Sequence, residues 1–160
     1  MGRLFDGVSA LLNICTTIEY DAQAAIELEA LLDRKHHIDL PFEYKLEKQN
    51  SLIQFDHTPV IRQITEHLLN KDASPEQISR RFHSTIVDMT VKICIQIRED
   101  GGPGDVVLSG GVFMNEFLLI NTIKQLEKQG FIVYCQQKVP SNDGGIALGQ
   151  AMIAGIKEQE

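Results

Sequence analysis

What this 160-residue sequence lacks narrows its class before any motif is considered. Cysteine is scarce: Cys15, Cys94 and Cys135 are odd in number, far apart, set in apolar surroundings and free of any C-x-x-C arrangement. They read as reduced core thiols, and they supply neither a disulfide framework nor a metal site. Positive charge is short as well, with 15 Lys and Arg against 22 Asp and Glu and a formal net charge of -7. Phosphate backbones and acidic membranes demand clustered cations, so no nucleic acid and no membrane is expected as a partner. No apolar run approaches the roughly 20 residues needed to cross a bilayer. Asp6 interrupts the apolar stretch at the N-terminus, which does not resemble a secretory signal, and the expected compartment is cytoplasmic. Also missing are internal repeats, low-complexity tracts, a P-loop with its lysine, a nucleophile elbow, a Ser-His-Asp arrangement and a histidine pair at i, i+4.

What is present describes a globular domain with a core: 43% hydrophobic and 23% charged residues. Gly2 and Arg3 lead straight into Leu4, Phe5, Val8, Leu11 and Leu12 at helical spacing, an abrupt start that reads as a piece of something longer. Asp21 is placed to cap a second helix carrying Ala24, Ala25, Ile26, Leu28, Leu31 and Leu32. Alternation in Phe42-Glu43-Tyr44-Lys45-Leu46 and in Leu52-Ile53-Gln54-Phe55, around Gln49-Asn50-Ser51, predicts a β-hairpin. Thr58-Pro59 opens a helix to Asn70, and Ser74-Pro75-Glu76-Gln77 opens the longest one, through Ile78, Phe82, Ile86, Met89, Ile93 and Ile97. After Gly101-Gly102-Pro103-Gly104, the wholly apolar Val106-Val107-Leu108 predicts a strand buried on both faces. A βαβ unit follows: a helix over 116–128, stopped by Gly130, the strand Phe131-Ile132-Val133-Tyr134, and a last helix over 144–156.

Two glycine-rich turns carry the chemistry. Ser109-Gly110-Gly111 stands between a strand and a helix, where open α/β sheets place their ligands. Glycines let backbone approach a bulky ligand, and amides at the next helix start receive phosphate oxygens. Asn115 either hydrogen-bonds a sugar or phosphate or is a plain helix cap. Pro140-Ser141-Asn142-Asp143-Gly144-Gly145 repeats the design with a carboxylate added: Asp143 either binds a cation or caps the last helix, while Gly144 and Gly145 bring that helix start to an anion. Two such turns on neighbouring strands would share one crevice. His36, His37, His57 and His67 are expected to be exposed, and His83 is either a satisfied, partly buried histidine or a site residue. Glu27, Glu29, Arg80 and Arg81 read as solvated helix faces with no catalytic role.

Gly2-Arg3-Leu4-Phe5-Asp6, Gln23-Ala24-Ala25-Ile26-Glu27-Leu28-Glu29, Arg81-Phe82-His83, 108–115 and 140–150 occur in the order found in the HypF carbamoyltransferases of nickel–iron hydrogenase maturation, and nearly the whole chain resembles their C-terminal region. The resemblance implies an α/β, RNase H-like/actin-like lobe of the sugar kinase, Hsp70 and actin superfamily, with a mixed central sheet, flanking helices and a helical insertion bearing the hairpin. It implies one domain over 1–160, the second lobe of a two-lobed TsaD-like domain, with a helical and hairpin part to about residue 100 and a site-bearing part after it. In that family carbamoyl phosphate and ATP yield carbamoyl-adenylate, and the carbamoyl group passes to the C-terminal cysteine of the partner HypE for cyanide synthesis.

Matched by position, the resemblance makes Asp143 a ligand of a divalent metal ion, iron, zinc or magnesium. Gly110, Gly111, Asn115, Gly144 and Gly145 belong to the nucleotide loops, and Gly2 and Asp6 to the segment lining the adenosine side. Ala22 departs from the family, which often has glycine there. The family's paired metal-binding histidines belong to the first lobe, preceded by a YrdC-like domain, and nothing here matches them. The chain alone is therefore expected to lack turnover and to bind metal and nucleotide weakly. The alternatives are the tRNA-modifying TsaD branch, which Phe113-Met114-Asn115 and the opening pentapeptide disfavour, and a regulatory lobe that holds nucleotide without chemistry.

Overall fold

The computed structural model of the chain describes residues 1–33, 35–50 and 52–157. Helix α1 spans Gly2–Leu11 and buries Phe5 and Val8. Helix α2, Gln23–Ala30, follows Ala22, whose backbone lies in the left-handed region at φ 64 and ψ 9. Asp21 is therefore not the cap; it sits one residue too early, and no side chain caps α2. Strands β1, Lys45–Gln49, and β2, Leu52–Asp56, pair antiparallel from Lys45 opposite Asp56 to Gln49 opposite Leu52. The hairpin starts three residues later than its alternation suggested, because Phe42 is sunk in the core and its amide donates to Thr85 Oγ1. Ser51, part of the expected turn, lies outside the described residues.

Helix α3 spans Thr58–Asn70, and Asp56 Oδ1 accepts from the Thr58 amide at 2.9 Å, so the acceptor at its start comes from the end of β2. Helix α4, Pro75–Glu99, opens on a complete capping box between Ser74 and Gln77. It closes where Gly101 takes φ 91 and the Gly102 amide returns to Ile97 O at 2.9 Å, the reciprocal bonding that ends helices on glycine. The hairpin lies along α4: Tyr44 donates to Asp88 at 2.6 Å, and Lys48 pairs with Asp100 at 2.7 Å.

Strand β3, Asp105–Leu108, helix α5, Glu116–Lys128, and strand β4, Ile132–Cys135, form the βαβ unit, with β3 and β4 parallel from Asp105 opposite Ile132 to Leu108 opposite Cys135. Short 3-10 turns at Gly111–Met114 and Asp143–Gly145 precede α5 and the last helix, α6, Ile146–Lys157. The α/β class thus rests on one antiparallel and one parallel ladder in separate sheets. β3 is covered on one face only. Val106, Leu108 and Val133 pack with Val91, Leu126 and Phe131, but Val107 is 68% exposed and Ile132 and Tyr134 stand beside it in the open. Two-sided burial needs a second layer, and none is supplied by the described residues.

Two apolar clusters make the interior. Phe5, Val8, Leu28, Phe42, Val60, Ile64 and Phe82 belong to the larger, Val91, Leu108, Leu126 and Phe131 to the smaller. Both α4 and α5 contribute to each: α5 gives Phe117 and Leu118 to one and Leu126 to the other. The start of α5, where the first glycine-rich turn ends, is thereby fixed to the larger core.

Candidate functional site

Gly110 has φ 100 and ψ 161, a conformation open essentially to glycine alone. In that shape its amide donates to Ser141 O at 2.8 Å, while Ser141 Oγ donates to Gly110 O at 3.1 Å. Gln136 Nε2 donates to Ser109 Oγ at 2.8 Å, and a Cβ on Gly111 would lie 4.0 Å from that of Asn142. The two turns are therefore sewn together at the carboxyl ends of adjacent parallel strands. Between them runs a crevice of about 270 Å³ whose walls include Leu108, Phe113, Met114 and Cys135, with Glu116, Gln136 and Ser141 as polar groups.

Asn142 caps the second turn, its Oδ1 accepting from Gly144 N at 3.0 Å. Asp143 is left exposed and takes no part in that cap. The adjoining glycines have a packing reason: a Cβ on Gly145 would sit 2.9 Å from Pro140 O, and one on Gly144 3.1 Å from Pro140 Cγ. Among the described residues no group of three His, Cys, Asp or Glu could hold a metal ion.

Asn115 is 9% exposed, and both ends of its amide are engaged. Oδ1 accepts from Leu118 N at 2.9 Å, which is the capping alternative, and Nδ2 meets His83 Nε2 at 3.1 Å. His83 is fully buried, its Nδ1 lying 2.8 Å from Ser79 O and its ring edge-on to Phe5 and Phe117. A carbonyl accepts only, so Nδ1 carries the proton and Nε2 accepts from Asn115. Burial lowers the His83 pKa to about 4, so the ring is neutral. Of its two readings, the satisfied histidine is the one that this bonding describes.

The start of α5 was expected to receive phosphate, but its first amides are taken. Glu29 Oε1 accepts from Glu116 N at 2.7 Å, with the Phe117 amide also on the carboxylate. Glu29 is thus a long-range helix cap rather than a solvated face; burial raises its pKa while those amides pull the other way. Arg81 likewise has partners: its guanidinium donates to His67 Nε2 at 2.9 Å and lies over the Phe42 ring, while His67 Nδ1 meets Asp72 at 2.6 Å. Arg80 pairs with Asp33. Of the histidines expected in solvent, His37 and His57 are exposed, whereas His36 and His67 are half-buried.

Gly2 and Asp6 stand exposed on α1. On the same helix, Phe5 packs on His83. Local patterns missed Glu29, Ser141 and Gln136, whose roles depend on partners 87, 31 and 27 residues away. In a larger groove of about 510 Å³ at the hairpin root, beside Phe42 and Glu43, Tyr44 and Lys92 both bond to Asp88.

Comparison with known proteins bears on this geometry. The family described as "Carbamoyltransferase, Kae1-like Domain, second subdomain" matches residues 1–150. The carbamoyltransferase HypF of Synechocystis sp. is 33% identical over 160 residues, all of this chain and 20% of that protein. The probable carbamoyltransferase HypF of Methanocaldococcus jannaschii is 34% identical over 156 residues, 98% of this chain and again 20% of the relative. The crystal structure of full-length HypF in a phosphate- and nucleotide-bound form superposes with a TM-score of 0.87 at 42% identity, covering 96% of this chain and 20% of that one. The chain spans about one fifth of the length of the relatives it matches.

Proposed function

The chain belongs to the HypF carbamoyltransferase family as the second subdomain of its Kae1-like domain, and from that premise we propose that the paired turns form the nucleotide-phosphate side of a carbamoyltransferase site. The observation that carries this reading is the bonding between Gly110 and Ser141, which joins both glycine-rich turns at one crevice. Open α/β sheets bind ligands at that position, beyond the carboxyl ends of their strands. The relative solved with phosphate and nucleotide bound supports the same ligand class.

In this proposal Gly110 and Gly111 offer backbone to the nucleotide, and Gly144 and Gly145 let the second turn close on it. The start of α5 contributes rigidity rather than phosphate binding, because Glu29 and Asn115 already occupy its amides. Asp143 would hold one side of a divalent cation, iron, zinc or magnesium, which supplies charge neutralisation at the nucleotide phosphate. The remaining ligands and the YrdC-like step belong to other parts of a longer protein. Carbamoyl-adenylate, made from carbamoyl phosphate and ATP, is the proposed donor, and the C-terminal cysteine of a HypE-type partner the acceptor, for cyanide synthesis in hydrogenase maturation. No domain boundary falls within 1–160 in this reading, and it places the protein in the cytoplasm.

Calorimetric titration of the two-lobed protein with Mg²⁺ and a non-hydrolysable adenylate tests it. Asp143→Ala should weaken cation binding by about tenfold or more, the least expected from losing a charged ligand. Unchanged cation and nucleotide affinities in that variant would sink the role of Asp143.

A further inference from the structure

From below, the first turn is linked to one buried ring. His83 comes from the middle of α4, receives Asn115 Nδ2 on one nitrogen and anchors to Ser79 O on the other. Asn115 in turn caps α5 through Leu118 N, and its own amide donates to Val112 O at 3.2 Å, closing the 3-10 turn that begins at Gly111. Gly110 and Gly111 open that turn. Phe5, Phe82 and Phe117 surround the ring edge-on, with centroids 5.2, 5.9 and 5.6 Å away.

We propose that His83 is a positioning residue for the nucleotide turn: its bare Nε2 selects the Asn115 side-chain orientation that caps α5 and thereby sets the backbone of Gly110 and Gly111. The inference rests on the nucleotide reading above for its functional meaning, but not for its geometry. An asparagine amide can flip by half a turn. Only one orientation gives Oδ1 to Leu118 N and Nδ2 to an acceptor, and a ring with its proton on Nδ1 enforces that one. A histidine with the proton on Nε2 would oppose Nδ2 with a second donor and release the cap.

The test separates the positional link from the nucleotide reading. In the full 160-residue chain, nitrogen-15 NMR should show His83 neutral with its proton on Nδ1, and Asn115→Asp, which sets a carboxylate oxygen against Nε2, should make the ring doubly protonated at neutral pH. His83→Phe keeps an aromatic filler and removes the acceptor; it should shift the Gly110 and Gly111 amide resonances and speed exchange of the Gly110 amide bonded to Ser141. His83→Gln, which can present an oxygen in place of Nε2, should restore both. In the full-length protein, His83→Phe should weaken adenine nucleotide binding about tenfold, the scale of one buried hydrogen bond, and His83→Gln should recover most of it. A His83→Phe chain with lowered melting temperature but unaltered Gly110 and Gly111 amides would overturn the proposal and leave His83 a packing residue. Coupled amides with unchanged nucleotide affinity would uphold the positional link and count against the nucleotide reading alone.

Discussion

Ala22 holds φ 64 and ψ 9, where a Cβ crowds the neighbouring carbonyl and only glycine is at ease. Ala22→Gly should therefore stabilise the chain by about 1 kcal/mol, read as a higher urea midpoint at unchanged slope. His83 gives a second prediction at this scale. Its pKa falls from 6.5 in the unfolded chain to about 4 when buried, so between those values the unfolded state binds more protons and stability is lost as pH falls. The span amounts to about 3 kcal/mol. Urea unfolding from pH 7 to pH 4 should show that loss in the wild type, and His83→Phe should lack this component. The thiols of Cys15 and Cys94 are pushed upward in pKa by burial first of all, so at neutral pH both should react slowly with a thiol probe in the folded chain.

Elements whose limits are set by local chemistry were legible in sequence. Ser74 with Gln77 opens α4, and Asn115 and Gly130 bracket α5 at Glu116–Lys128 as expected. Most of the failures share a cause, which is partners distant in sequence. Alternation could not show that Phe42 leaves the hairpin for the core, and an apolar triplet could not show that Val107 has no cover. Glu29 looked like any charged position on a helix, yet it caps α5 from 87 residues away. Asn142, rather than Asp143, takes the cap of the second turn because its amide oxygen accepts from Gly144 N, a choice that local pattern leaves open. At the candidate site, both turns and their meeting were legible, whereas the commitment of Asn115 to His83 was not. Glu29→Ala should cost about 1–2 kcal/mol in unfolding free energy, more than Glu→Ala at the exposed Glu127 of α5.

Across the whole molecule, apolar surface is distributed unevenly. Val107, Ile132 and Tyr134 line one open face of the β3–β4 pair, and Ile146, Leu148, Met152, Ile153 and Ile156 of α6 are each more than half exposed. Patches of this kind seek cover. The chain by itself should bind a hydrophobic dye in its native state and self-associate with rising concentration, and sedimentation should show Val107→Thr with Ile132→Thr shifting it toward monomer. Among the described residues no helix is long and apolar enough to cross a membrane. Because α4 and α5 serve both apolar clusters, unfolding should be a single transition by fluorescence and circular dichroism alike.

The way the hairpin is attached to α4 has its own outcome. At the root, Phe42 is in the core and Tyr44 bonds to Asp88 at half depth; near the tip, Lys48 and Asp100 meet with roughly half of each side chain in water, 48% and 41%. Salt weakens the outer fastening and hardly touches the inner one. The ribbon should peel like a strip glued at one end, so added sodium chloride will quicken deuterium uptake around Lys48 and Gln49 while the amide of Phe42 stays protected.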